Sequence, residues 1–368
     1  MAPTANVARM MQQVLLALVP AAIAHVWFFG PGLVFNLAVA MAACVGGEAL
    51  MMRLRGRPAE RALSDYSVLV TAALLAFALP SLTPWWITAT GALFGIIVAK
   101  HLYGGIGFNI FNPAMAGYVV VLVAFPMHLN LWVAPRMGDI DYQFLTVLQT
   151  LTYTVSGNLP DALTYDDVSR ATPLDAMKSG LNDMRTTVEI RSLPMMGDFG
   201  GIGWEWIGNF IALGGLWLMI RGVIRWHIPV GVGAGLLIPA GIMWLISPGT
   251  EPSPGFHMFS GAALLCAFFI ATDPVSAAAS PKGRLAYGAG IGFLIYAIRT
   301  WGADVDGVAF AVLMMNMAVP AIDRVTRPRI VGNGKDPTTR RRRVSQNVAL
   351  RSRRSPRYAR RWSRPPTR

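Results

Sequence analysis

The segment Ser169-Arg-Ala-Thr172-Pro-Leu-Asp175 places a hydroxyl where a helix should begin. Thr172 reads as the N-cap, Pro173 as the first helical residue and Asp175 as a first-turn acid. A helix N-terminus also holds phosphate, through free backbone N–H groups and the dipole. The Thr172 hydroxyl is therefore placed either to cap or to become an ester of a phosphate held there, and the two roles are compatible. A second segment, "GGIGFNIFNPAM" (Gly104–Met115), gathers glycines and the amides of Asn109 and Asn112 just before an apolar run. It reads as a tight re-entrant turn with Asn caps. Alternatively, Gly104 and Gly105 let backbone approach a planar ring while the Asn amides meet its polar edge. Asp273, in "ATDPVSAAASPKGR", is an acid at membrane depth or a cap for the next span. Glu48 lies inside an apolar run without an obvious partner, and Asp304 and Asp306 precede another. Glu48, Asp273 and Asp306 are the candidates for ion coupling.

No other chemistry is spaced for a site. The five His residues show no metal-ligand spacing. Cys44 and Cys266 are the only cysteines, so the chain alone supplies neither a disulfide framework nor the four thiolates of an iron–sulfur centre. No Gly-x-Gly-x-x-Gly nicotinamide loop is present.

These residues must be held by membrane helices. Of 368 residues, 54% are hydrophobic and 14% charged. Apolar runs at about 13–30, 32–52, 68–80, 84–99 and 113–133 precede a polar segment at 134–203. Runs at about 204–223, 228–247, 257–271, 284–299 and 305–322 follow. The shortest, 68–80 and 257–271, are expected as half-helices. "TAALLAFALP" (Thr71–Pro80) parallels "GAALLCAFFIATDP" (Gly261–Pro274), and "GFNIFNPAMAGYVVVL" (Gly107–Leu122) parallels "GADVDGVAFAVLMMNMAV" (Gly302–Val319). The expected fold is an all-α polytopic membrane protein of about ten transmembrane helices, in two inverted five-helix repeats with half-helices. Its segments are a first repeat (1–133), a loop (134–203), a second repeat (204–326) and a tail (327–368).

Arg53, Arg55, Arg57, Arg61, Lys100, Arg221, Arg225, Lys282, Arg284 and Arg324 fall in alternate breaks, with Arg299 the exception. Both termini are thus expected in the cytoplasm and the 134–203 loop outside. Trp85, Trp86, Trp132, Trp204, Trp206 and Trp226 fit an aromatic belt. The net charge of +13 resides in the tail, where 15 Lys and Arg face one acid. The tail is expected to be disordered and to touch anionic lipid rather than nucleic acid.

With these motifs in order, residues 10–326 resemble the membrane flavin subunits of ion-translocating redox pumps. These are the D subunits of Rnf complexes and the B subunits of sodium-pumping NADH:quinone oxidoreductases. Asp166-Asp-Val-Ser169-Arg170-Ala171-Thr172 resembles the family's flavinylation motif, roughly Asp-Gly-x-Ser-Gly-Ala-Thr, with Asp167 and Arg170 where the family often has glycine. The resemblance implies FMN joined through its phosphate to Thr172, beside Ser169, Arg170 and Ala171, with Arg170 able to pair with that phosphate. It also implies a second, non-covalent flavin, riboflavin, with the Gly104–Met115 segment as a candidate wall. The short lead before the first span is more similar to the D than to the quinone-reducing B subunits. The implied setting is a bacterial inner-membrane complex exchanging electrons between ferredoxin and NAD, coupled to Na⁺ or H⁺ movement and inactive as a lone subunit. The implied partners are a periplasmic flavin subunit, iron–sulfur membrane subunits and a cytoplasmic NAD-binding subunit. A channel or transporter for a small polar solute is the competing reading, since fold alone does not settle function.

Overall fold

A computed structural model describes residues 3–105, 107–136, 144–160, 163–303 and 305–326. Asp304 and the whole 327–368 tail lie outside the described residues. Among those described there are helices and two isolated bridges but no strand.

The first repeat comprises α1 (Pro3–Phe29), α2 (Gly32–Leu54), the short α3 (Ala59–Leu63), α4 (Ser67–Ala78), α5 (Trp85–Leu93, continuing as a π-helix over Phe94–His101) and α6 (Pro113–Ala124). The fifth run ends sooner than its hydropathy suggests. Phe125 leaves helical geometry before Pro126, and only the short α7 (Pro126–Leu129) follows. The polar segment carries α8 (Val147–Ser156), α9 (Tyr165–Val168), α10 (Pro173–Asn182) and α11 (Thr187–Arg191). The second repeat comprises α12 (Trp204–Ile220), α13 (His227–Ile246), α14 (Pro254–Phe259), α15 (Ala263–Leu265, continuing as a π-helix over Cys266–Ile270), α16 (Pro281–Trp301) and α17 (Val308–Thr326).

Val7–Phe29, Gly32–Leu54, His227–Ile246 and Val308–Thr326 are long and apolar enough to cross a membrane unaided. Packing repeats from one half to the other. Helix α2 packs on α4 and α5, as α13 packs on the π-turn after α15 and on α16. Helices α1 and α12 pair with each other, as do α6 and α17. Each helix of these two pairs therefore meets its own counterpart, as a two-fold axis between inverted repeats requires.

Half-helices free carbonyls at membrane depth, and each must find a donor. Where α4 stops, Pro80 O accepts from Asn36 Nδ2 of α2 at 2.8 Å and from Thr83 Oγ1 at 2.7 Å. Ser81–Thr83, the break between the 68–80 and 84–99 runs, is buried at all three residues. The counterpart break, between α14 and α15, is held by Arg299. Its guanidinium donates to His257 O and to Ser260 O, and reaches Asp306 Oδ1 at 2.6 Å. Arg299 departs from the charge rule because it is a buried pin, not a loop residue. Asp306 accepts from Ala262 N at 3.3 Å, so it serves this break rather than the start of α17.

The repeats join through two amides. Asn112 Oδ1 caps α6 by accepting from Ala114 N at 3.0 Å and Met115 N at 3.2 Å. Its Nδ2 donates to Ile270 O at 3.2 Å, the end of the opposite half-helix. Asn316 of α17 accepts from Asn112 N at 3.0 Å and donates to Ser276 O and the Tyr287 hydroxyl.

Candidate functional sites

Thr172 begins α10, as its sequence neighbours indicated. The Thr172 hydroxyl donates to Asp175 Oδ2 at 2.6 Å and accepts from Asp175 N at 3.2 Å, while Asp175 Oδ2 accepts from Thr172 N at 3.1 Å. This reciprocal box satisfies two first-turn donors. The segment just before it is tied to the end of the first repeat. Val133 and Ser169 form an antiparallel bridge, and Arg170 N donates to Trp132 O at 2.9 Å. Among the described non-glycine residues only Tyr66 and Met184 have positive φ. Asp167 and Arg170 thus stand in ordinary conformations, and the backbone here makes no demand for glycine. Ser169 donates to Tyr165 O at 2.8 Å, and Ala171 is exposed.

Beside Thr172 opens a crevice with about 1200 Å³ of empty space, the open solvent at its mouth included. Thr172, Asp175, Asn130 and Asp306 give it polar points, and Trp132, Trp204, Phe77, Tyr118 and Phe259 give it aromatic walls. Trp132 and Trp204 lie edge to face with centroids 5.1 Å apart. The belt assignment suits the exposed Trp85, Trp206 and Trp226, but these two face inward. Their hydropathy is the same in either place, so only the fold separates them. A hydroxyl at a helix N-terminus, opening on an aromatic-walled crevice, suits a planar aromatic group carried on a phosphate.

A second crevice, of about 860 Å³ by the same measure, backs onto the first. Helix α4 gives Ser67, Val70, Thr71 and Leu74 to this one and Phe77 and Ala78 to the other. Likewise α6 gives Pro113 and Ala114 here, and Met115 and Tyr118 there. From Leu74 to Phe77 the helix advances only about 4.5 Å, so neighbouring turns of α4 line the two spaces.

Asn109, Asn112, Asp273 and Lys100 all line this second crevice. The polar atoms of Asn112 are committed to joining the repeats, whereas Asn109 keeps a local bond to Phe111 O at 3.1 Å. Gly104 and Gly105 have positive φ, as their turn requires, but stand outside the crevice lining; Arg55 donates to Gly104 O at 3.2 Å. Asp273 does not cap α16, where Ser280 accepts from Gly283 N at 2.9 Å. Instead Asp273 accepts from Val275 N at 3.1 Å and from the Ser276 hydroxyl at 2.8 Å. Glu48 does have partners. Lys100 Nζ lies 2.9 Å from Glu48 Oε2 and 3.1 Å from Ser67 Oγ, and His101 Nε2 lies 3.1 Å from the same Glu48 oxygen. Lys100, which the sequence put in a cytoplasmic break, is 3% exposed. The neutral amides, a shielded cation and an acid over apolar walls fit a planar ring with polar edges. Among the described residues no group of three or more His, Cys, Asp and Glu is placed to hold a metal ion.

The sequence profile of the NQR2, RnfD, RnfE family matches residues 1–332. The chain belongs to this family. It is 45% identical over 333 residues to the D subunit of the ion-translocating oxidoreductase complex of Aliivibrio salmonicida, covering 89% of this chain and 94% of that protein. The corresponding D subunit of Shewanella denitrificans is 46% identical over 329 residues, with the same coverage. That of Vibrio cholerae is 46% identical over 335 residues, covering 89% of this chain and 96% of the relative. Family membership thus extends across both crevices, both repeats and the loop between them.

Proposed function

We propose that this chain is the membrane flavin subunit of an ion-translocating oxidoreductase complex of the Rnf type, with FMN esterified to Thr172 and riboflavin in the Asn109 crevice. The observation that carries the reading is the position of Thr172, at a helix N-terminus on the rim of an aromatic-walled crevice, in a member of this family. Bound flavins supply one- and two-electron chemistry, and the protein sets their spacing and surroundings. Thr172 Oγ1 would carry the flavin phosphate, and Asp175 Oδ2, which accepts the hydroxyl proton, would take that proton as the ester forms. A flavin-transferring enzyme would supply the flavin phosphate with its leaving group, and Arg170, two residues before Thr172, would supply a cation to the phosphate.

The alternate-break charges support a reading with the 134–203 loop in the periplasm and both termini in the cytoplasm of a bacterial inner membrane. Electrons from a periplasmic flavin partner would then enter at the Thr172 crevice and leave from the Asn109 crevice toward iron–sulfur and NAD-binding partners. Asp273, lining the second crevice, Glu48, paired with the Lys100 that lines it, and Asp306, at the first, remain the acids proposed to couple this flow to Na⁺ or H⁺ movement.

The test is in-gel flavin fluorescence of denatured protein made in a host with the flavin transferase and an exported flavin supply. Wild type should fluoresce and Thr172→Ala should not, while Asp175→Asn should label several-fold less. A dark wild type would leave Thr172 as a helix cap alone and overturn the covalent-flavin reading.

A further inference from the structure

We propose that α8 is a membrane-surface anchor, lying in the headgroup region beside the first repeat with its apolar face in lipid. The helix, Val147–Ser156, carries no charged residue. A capping box at Thr146 starts it, and Gly157, at φ 75°, ends it. At about 100° a residue its side chains fall into three stripes. Val147, Leu148, Leu151 and Val155 share one stripe and are all exposed, Leu148 by 72%. Gln149, Thr152 and Ser156 form the next, with Thr152 and Ser156 exposed. Thr150, Tyr153 and Thr154 form the third and are buried.

For a helix on a water-soluble surface this order is inverted: threonines go inward and leucines outward. The buried hydroxyls are satisfied by their own segment, Thr150 donating to Thr146 O at 2.9 Å and Thr154 to Thr150 O at 2.8 Å. Tyr153 holds the helix to the protein, packing with Leu82 at the buried break after α4 and with Val168 of α9. Along its length α8 packs on α2, and Trp86 of α5 lies so close to Gly157 that an added Cβ would meet its ring. Both α2 and α5 begin at this end of the repeat, at Gly32 and Trp85. Helix α8 is therefore level with the exposed Trp85 of the aromatic belt and with the exposed Val34 of α2.

Three stripes are what a helix needs with protein on one side, lipid below and water above. The apolar stripe continues the surface that the spanning helices present to lipid, so acyl chains are its occupant. Because α8 has no Lys or Arg, the contact is apolar rather than electrostatic, and neutral phosphatidylcholine suffices. The anchor also bears on the loop's chemistry. Helix α9, on which Tyr153 packs, ends at Val168, four residues before Thr172. Holding α8 in the membrane surface thus holds the Thr172 segment close to it.

The test is a fluorescent-label scan of full-length protein carrying Cys44→Ala and Cys266→Ala, in phosphatidylcholine nanodiscs. One label goes on Leu151→Cys and the other on Thr152→Cys, about 100° further round the helix. Phosphatidylcholine spin-labelled near the top of its acyl chain quenches from the lipid, and iodide quenches from the water. The spin-labelled lipid should quench the label of Leu151→Cys, and iodide should quench it roughly five-fold less than that of Thr152→Cys. High salt should change neither pattern. Equal iodide quenching at both positions without lipid quenching overturns the anchor. In the purified complex, a Leu151→Cys label shielded from iodide and lipid alike assigns the stripe to a partner subunit and overturns the lipid occupant. A second, label-free measurement uses Leu148→Glu, Leu151→Glu with both native cysteines, which charges the lipid stripe and leaves the inward face intact. Hydrogen exchange of Tyr165–Val168 in nanodiscs should rise roughly ten-fold while α13 stays protected. Unchanged exchange would show that lipid contact holds nothing in place, and overturns the anchor as well.

Discussion

Arg299 and Glu48 show how differently a charge behaves once its surroundings are known. Arg299 spends its donors on two freed carbonyls at the break between α14 and α15, on Asp306 O and on the Asp306 carboxylate. Replacing it with Met leaves Asp306 without its cation and three carbonyls without their donor. Removing one partner of a fully buried pair costs about 3–5 kcal/mol, and the 34% exposure of the Asp306 side chain puts this pair below that range. Arg299→Met should therefore lower the thermal transition of detergent-solubilised protein markedly. The double variant Arg299→Met, Asp306→Asn should recover part of the loss, because the abandoned charge is gone. Equal transitions for wild type and Arg299→Met would mean that the break is held by packing alone. Lys100 and Glu48 were legible as charges but not as a pair, since 52 residues separate them and only the packing of α2 on the end of α5 joins them.

At the scale of elements, the polar amides do what apolar periodicity cannot. Asn112 caps α6 and reaches the end of the α15 half-helix, and Asn316 binds both Asn112 and Ser276. Each substitution to Ala should cost about 1–3 kcal/mol, the penalty of an orphaned buried polar group. Because they share a hydrogen bond, the double variant should cost less than the sum, a coupling that a thermal double-mutant cycle reads directly. Strict additivity would show that the two amides act independently. The loop helices depend on pH in a defined direction. The Thr164 backbone N–H and hydroxyl hold the Asp167 carboxyl below its ordinary range, and those of Thr186 do the same for Glu189. A depressed carboxyl stabilises the fold above the unfolded value and loses that contribution as pH falls through the folded one. Hydrogen-exchange protection of Tyr165–Val168 and Thr187–Arg191 should persist down to about pH 4 and decline below it. A decline on raising the pH instead would contradict the caps. Of this level, the start of α10 could be read in advance because Thr-Pro-x-Asp is a local signal. The other loop helices have the same Thr-x-x-acid or Thr-x-x-Gln caps, at Thr164, Thr186 and Thr146, but they lie in stretches where hydropathy says nothing. Asn316 sits inside a helix and carried no signal at all.

For the whole molecule, the repeated order of short run, proline, glycine–asparagine lead and long run was visible along the chain, and it maps onto the observed two-fold packing. The seams between the repeats were not visible, because they are made of small residues in ordinary sequence contexts. Gly214 of α12 faces the backbone carbonyl of Ala17 in α1 so closely that a Cβ could not be added without separating the helices. Such close approach replaces the hydrophobic effect as the source of helix association in lipid, where apolar side chains gain nothing by leaving the bilayer. The α1–α12 seam also borders both crevices: α1 supplies His25 to the first and Met10, Met11 and Val14 to the second, while α12 supplies Ile207, Gly208 and Ile211 to the first. Gly214→Leu should therefore do more than lower stability. By prising α1 from α12 it should loosen both sites together, weakening riboflavin binding and lowering covalent flavin labelling at Thr172. Gly46→Leu, at a position in α2 where an added Cβ meets nothing within 4 Å, is the matched control and should change neither. If Gly214→Leu lowers the thermal transition yet leaves both flavin readouts at wild-type levels, the seam is only a packing contact, and the two crevices owe their shapes to α4, α6 and the half-helices alone.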